Sequence, residues 1–149
     1  MELEKEIFTK GFDSAYSKAV VNVIYTYGWL TNHLKQELDK YNITHQQYNV
    51  LRILRGQHPK PSTINLLKER MLDKMSDASR IVERLVQKEL VSKNTCKSDK
   101  RAVDIFISQK GLEVLNQIEI DTSIKEVLSK NVSEEEIEAL NSLLDKLRG

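Results

Sequence analysis

The sequence predicts a mainly α-helical chain carrying one small β-hairpin, on three observations. Apolar residues recur at three-and-four spacing through most of the 149 residues. The period changes to two only in the runs Leu90–Thr95 and Val103–Ile107. Two capping boxes, Thr44 with Gln47 and Ser133 with Glu136, mark helix starts. With 5 Gly, 2 Pro and no linker-like or repetitive stretch, one unit over residues 1–149 is expected.

The elements follow in order. Phe12, Tyr16, Val20, Val23, Tyr27, Leu30, Leu34 and Leu38 trace a long first helix. Gly28 interrupts it at a cost of about 1 kcal/mol relative to Ala, which predicts a bend or a close contact. Asn42 offers a turn, and Thr44 opens a second helix carrying Tyr48, Leu51 and Leu54, stopped near Gly56 by the prolines Pro59 and Pro61. Ser62 is expected to cap a third helix with Ile64, Leu67 and Met71 inward. A fourth, from about Ser76 to Lys88, buries Ala78, Ile81, Val82 and Leu85. Its other face presents Ser76, Ser79, Arg80, Glu83, Arg84 and Gln87. Two strands then flank the polar segment 96–101, which gives a hairpin with a cationic tip. Ser108 caps a fifth helix predicted to run to about Lys130, and Ser133 opens a sixth with Ile137, Leu140, Leu144 and Leu147 on one side.

Charge is segregated along the chain. The formal net charge is +1, yet residues 68–101 hold ten Lys and Arg against six Asp and Glu, and residues 113–149 hold four against nine. A basic middle and an acidic end fit a nucleic-acid module attached to an assembly module. Cys96 is the single cysteine, so no internal disulfide forms, and with three scattered histidines it makes no metal site; no cofactor is expected. The acidic start Met1-Glu2-Leu3-Glu4 is unlike a secretory signal and no apolar run spans a membrane, so a cytoplasmic protein with no membrane partner is expected. Nucleophile elbow, H-E-x-x-H and glycine-rich phosphate cradle are all missing, which argues against an enzyme.

Two short helices followed by a hairpin with a basic tip make a winged helix-turn-helix, whose second helix can enter the DNA major groove. The expected architecture is a winged-helix lobe over roughly 44–108 with N- and C-terminal dimerisation helices over 1–41 and 109–149. A solvated helix face would look like residues 76–88 taken alone; the cations Lys97, Lys100 and Arg101 in the hairpin loop favour a nucleic acid.

The run from Ser79 to Leu115 resembles the recognition helix, wing and following helix start of the MarR family. Asp99, Arg101 and Ala102 match its D-x-R-A wing signature, and Thr44–Leu51 is similar to its second-helix opening. The resemblance implies a sequence-specific regulator binding a palindromic double-stranded DNA operator as a homodimer, expected to act as a repressor. It places Ser79 and Arg80 toward the major groove and Arg101 in the minor groove, with Asp99 bracing the wing. The full set of expected DNA contacts is Ser62, Thr63, Ser76, Ser79, Arg80, Arg84, Lys97, Lys100 and Arg101. One departure stands out: where the family usually has Gly before the residue matching Leu90, this chain has Glu89. Glutamate lacks glycine's easy left-handed conformation, which predicts a helix end of altered shape and a charge opposing DNA.

The terminal helices have more apolar surface than the DNA module can cover. Phe8, Phe12, Ile120, Ile124, Val127, Ile137, Leu140 and Leu144 are the candidate dimer contacts, with a monomer core as the competing reading. Family members commonly bind small aromatic or anionic effectors between the dimerisation helices and the winged module. Tyr25, Trp29, His33 and Tyr48 are the candidate lining here, against ordinary packing roles. A redox role for Cys96 competes with an incidental exposed thiol, since the family's peroxide sensors usually carry their cysteine in the first helix. The rival function is a DNA-independent assembly or small-molecule-binding protein retaining the fold, which the near-neutral chain and the acids Glu83 and Glu89 would suit.

Overall fold

A computed structural model of the chain describes residues 2–95, 103–118 and 120–149, the side chains of 120–122 excepted. The elements are α1 (Leu3–Glu6), α2 (Ala15–Asp39), α3 (His45–Gln57), α4 (Ile64–Arg70), α5 (Ala78–Gln87), β1 (Val91–Thr95), β2 (Val103–Ile107), α6 (Gln109–Gln117), α7 (Ile120–Ser129) and α8 (Glu134–Arg148). The fold is a winged helix-turn-helix with long helices at both ends. No helix among the described residues is long and apolar enough to cross a membrane.

Helix starts follow side-chain chemistry closely. Thr44 and Ser133 each accept a hydrogen bond from the backbone N–H three residues on, while Gln47 and Glu136 reach back, completing both capping boxes. Ser108 caps α6. The long first helix begins at Ala15, capped by Ser14, so Phe12 lies before it. Gly28 produces no break in α2, and a Cβ placed there would meet nothing within 4 Å.

The expected single helix from Ser108 to Lys130 is two. Ile118 leaves helical geometry at φ −82 and ψ 111 and is buried, and the Tyr41 hydroxyl donates to the Gln117 carbonyl at 2.7 Å. The carbonyl is one that a helix end leaves without an intrahelical partner. No Gly or Pro marks the spot in the sequence.

Among the described residues, sixteen buried apolar ones from Leu38 to Ile118 form one core under α3, α4, α5, the hairpin and α6. Val91 pairs with Ile107 and Lys93 with Ile105 in the antiparallel hairpin. Ser62 adds a third edge: its N–H donates to the Ile105 carbonyl at 2.8 Å and its own carbonyl accepts from Ile105 N–H at 2.9 Å. Outside this lobe the terminal helices bury almost nothing; α8 has no buried residue, and α2 buries only Leu38 at its end.

Candidate nucleic-acid interface

The turn between α4 and α5 is held by side chains. Asn49 Oδ1 accepts from Leu72 N–H at 3.0 Å, fixing the turn to α3. Asp73 accepts from Met75 N–H at 3.0 Å and from the Ser76 hydroxyl at 2.6 Å. The Ser76 hydroxyl, then the Met75 N–H, hold the Asp73 carboxyl below its ordinary value. Because the folded-state pKa is depressed, this support is present above the ordinary carboxylate range and is lost as pH falls through the lowered value. Asp77 then caps α5, accepting from Arg80 N–H at 3.1 Å. Ser76, expected inside the recognition helix with its hydroxyl toward DNA, instead lies two residues before it, half-buried and bonded to Asp73.

Helix α5 buries Ala78, Val82 and Leu85 and exposes Ser79, Arg80, Glu83, Arg84 and Gln87. Glu83 is ion-paired with Lys93 on β1, which neutralises the one carboxylate on this face. Neither Arg80 nor Arg84 has an ion-pair partner among the described residues. Both border a shallow cleft of about 280 Å³ against Thr44, Gln46 and Gln47 at the start of α3. Thr63, not Ser62, caps α4, its hydroxyl accepting from Leu66 N–H at 3.2 Å. Ser62 was expected to cap this helix and to face DNA. Pairing with β2 places it at 1% exposure, with no hydrogen-bond partner for its hydroxyl among the described residues. Lys97, Asp99, Lys100, Arg101 and Cys96 lie outside the described residues.

Glu89 keeps the conformation that the sequence argument reserved for glycine. Its φ is 61, and Leu90 N–H reaches back to the Leu85 carbonyl at 3.0 Å, closing α5 in a left-handed turn. The expectation of an altered helix end is therefore corrected. The carboxylate is also tied down: Lys110 Nζ sits 2.8 Å away and lowers its pKa by hydrogen bonding and charge. The Ser108 hydroxyl donates to the Glu89 carbonyl at 2.7 Å, joining the end of α5 to the start of α6.

Residues 43–103 match the family model described as MarR family. The matched stretch is the winged-helix lobe. Over 123 residues the chain is 26% identical to the HTH-type transcriptional regulator MhqR of Bacillus subtilis (strain 168), covering 81% of this chain and 83% of that protein. Its fold resembles an organohalide-sensing transcriptional regulator in a 2,4-dichlorophenol-bound form, with TM-score 0.81 and 23% identity over 93% of this chain and 85% of that one. It also resembles the MepR–DNA complex of S. aureus, with TM-score 0.73 and 21% identity over 92% and 97% of the two chains.

Around this lobe the other expected sites divide. Tyr25 and Trp29 line a cavity of about 280 Å³ with Ile24, Gly28 and Asn32 on α2, and the His33 ring lies 4.7 Å from that of Trp29. Tyr48 stands apart from them, its ring under the Arg52 guanidinium at 5.8 Å. Of the expected dimer contacts, Phe8 and Leu140 are exposed, while Phe12, Ile124, Val127, Ile137 and Leu144 are half-buried. The Ile120 side chain is outside those described. Ile124 also packs on the core, and with Ile137 it lines an apolar groove of about 430 Å³ between α7 and α8. The sequence reading did not assign to an interface the exposed stripe Tyr16, Val20, Val23, Ile24 and Tyr27 on α2, nor Leu143 and Leu147 on α8. Three-and-four spacing showed an apolar face on each helix but not what it meets. No group of three or more His, Cys, Asp or Glu among the described residues could hold a metal ion.

Proposed function

We propose that the protein is a cytoplasmic, homodimeric MarR-type repressor that reads a palindromic double-stranded DNA operator and releases it on binding a small aromatic or anionic effector. The observation carrying this reading is α5: a helix fixed from behind by Ala78, Val82 and Leu85, capped at Asp77, and presenting Arg80 and Arg84 with Ser79 to solvent. Guanidinium groups displayed in this way suit guanine edges and phosphates. The likeness to MepR, solved as a complex with DNA, supports a DNA partner, and the second helix of a winged helix-turn-helix can enter the major groove. Pairing of Glu83 with Lys93 and of Glu89 with Lys110 weakens the rival reading, a DNA-independent protein, since those acids were its support.

Two-fold association would cover the stripes on α2 and α8 and set the spacing of two half-sites. An aromatic effector suits the cleft walled by Tyr25 and Trp29, and the dichlorophenol-bound neighbour offers a chemical starting point. Selection of bound fragments from random duplex DNA, followed by titration at several salt concentrations, tests the reading. A palindromic consensus with a steep negative salt slope is expected. Failure to enrich any sequence would overturn it.

A further inference from the structure

Met75 is 94% exposed, although the turn that carries it is held by side-chain hydrogen bonds. Its own N–H is held by Asp73 at 3.0 Å, and the next residue, Ser76, bonds the same carboxylate at 2.6 Å. The thioether is therefore displayed from a fixed backbone two residues before the cap of α5, and the first residues of a recognition helix are the ones that contact base edges. Leu72, the other exposed apolar residue of the turn, lines a separate cleft with Tyr27 and His45 and is not part of this display. Nothing among the described residues covers Met75.

We propose that Met75 reads a thymine 5-methyl group at the edge of each half-site. Of the four bases only thymine presents a methyl group in the major groove, and an unbranched thioether adapts its shape to such a contact. Arg80, one turn into α5, reads hydrogen-bonding edges; Met75 adds an apolar reading beside it. The inference rests on the DNA-reading function proposed above.

The test uses the selected operator, with deoxyuridine replacing thymidine one symmetric pair of positions at a time, which removes the methyl and leaves pairing intact. Wild-type protein, Met75→Ala and Arg80→Ala are titrated by fluorescence anisotropy, with circular dichroism and sedimentation to show that fold and assembly persist. Wild type is expected to lose about 4-fold per half-site, or about 15-fold for both, at one pair of thymines, as for one methyl withdrawn from a buried contact. Met75→Ala loses a similar factor on unmodified operator and no longer distinguishes thymine from uracil there, whereas Arg80→Ala still does. The inference is overturned if Met75→Ala binds as wild type does, or if it stays as sensitive as wild type to every uracil. A changed assembly state in Met75→Ala would likewise overturn it and assign the residue to a protein contact. If no operator is selected at all, the DNA-reading proposal itself has failed and this inference falls with it; if an operator is selected but no thymine in it is methyl-sensitive, only the Met75 inference fails.

Discussion

Ser62 and Thr63 are adjacent, similar in chemistry, and opposite in role. Thr63 turns its hydroxyl to the start of α4, while Ser62 gives its backbone to β2 and takes its hydroxyl into the core. A buried hydroxyl without a partner destabilises, and this one finds none among the described residues, so Ser62→Ala is expected to leave stability unchanged or raise it by up to ~1 kcal/mol in urea unfolding. DNA affinity should not change; a loss would mean that the hydroxyl does reach the operator. The two arginines differ in another way. Arg80→Ala should relax base preference by ~1–3 kcal/mol, because a bidentate guanine contact is lost. Arg101→Ala should weaken binding to operator and scrambled DNA alike and make the salt slope shallower. Unchanged affinity in both variants, with folding intact, would remove the case for a DNA reader.

Between elements, α6 meets the base of the wing closely. A Cβ on Gly111 would sit 2.3 Å from the Leu90 carbonyl oxygen and 2.8 Å from Ile107 Cγ1. The first of these is backbone and cannot rotate away, so Gly111→Ala is expected to destabilise by ~1–3 kcal/mol or more in thermal unfolding. A neutral result would show that α6 is free to lift from the hairpin. Gly28 is the contrast, since it has open space inside an unbroken helix. Gly28→Ala should stabilise by about 1 kcal/mol through helix propensity while narrowing the cleft beside Trp29. Its Trp29 fluorescence response to small aromatic acids should shrink. Destabilisation instead would mean that another chain packs closely against this point.

At the scale of the molecule, burial is concentrated in residues 38–118, while α2 and α8 leave large apolar side chains in water: Tyr16 is 86% exposed and Leu147 66%. Helices of this kind gain stability mainly by packing an apolar face. Val20→Lys and Leu140→Lys should each raise the dimer dissociation constant about 100-fold or more, because either would bury an unpaired charge. Sedimentation across a concentration series reads this directly. A wild-type monomer at micromolar concentration would refute the dimer, and an unaffected Leu140→Lys would remove α8 from the interface.

Local chemistry was legible in the sequence. Both capping boxes, the Ser108 cap, the change of period at the hairpin and the apolar side of α5 depend on residues within four positions of one another, and all stand where the pattern put them. Ser76, held by Asp73 three residues away, was a local miss, but the larger departures depend on partners far along the chain. The break after Gln117 is met by Tyr41, the burial of Ser62 by Ile105, and the left-handed Glu89 by Ser108 and Lys110. The same holds for the apolar stripe on α2: a period of 3.6 gives the face of a helix, but only the packed lobe decides that this face is left uncovered. Short-range periodicity and capping fixed the elements of this protein. Their ends, strained turns and exposed surfaces were settled in the tertiary structure, because side chains remote in sequence supply the bonds that make those conformations tolerable.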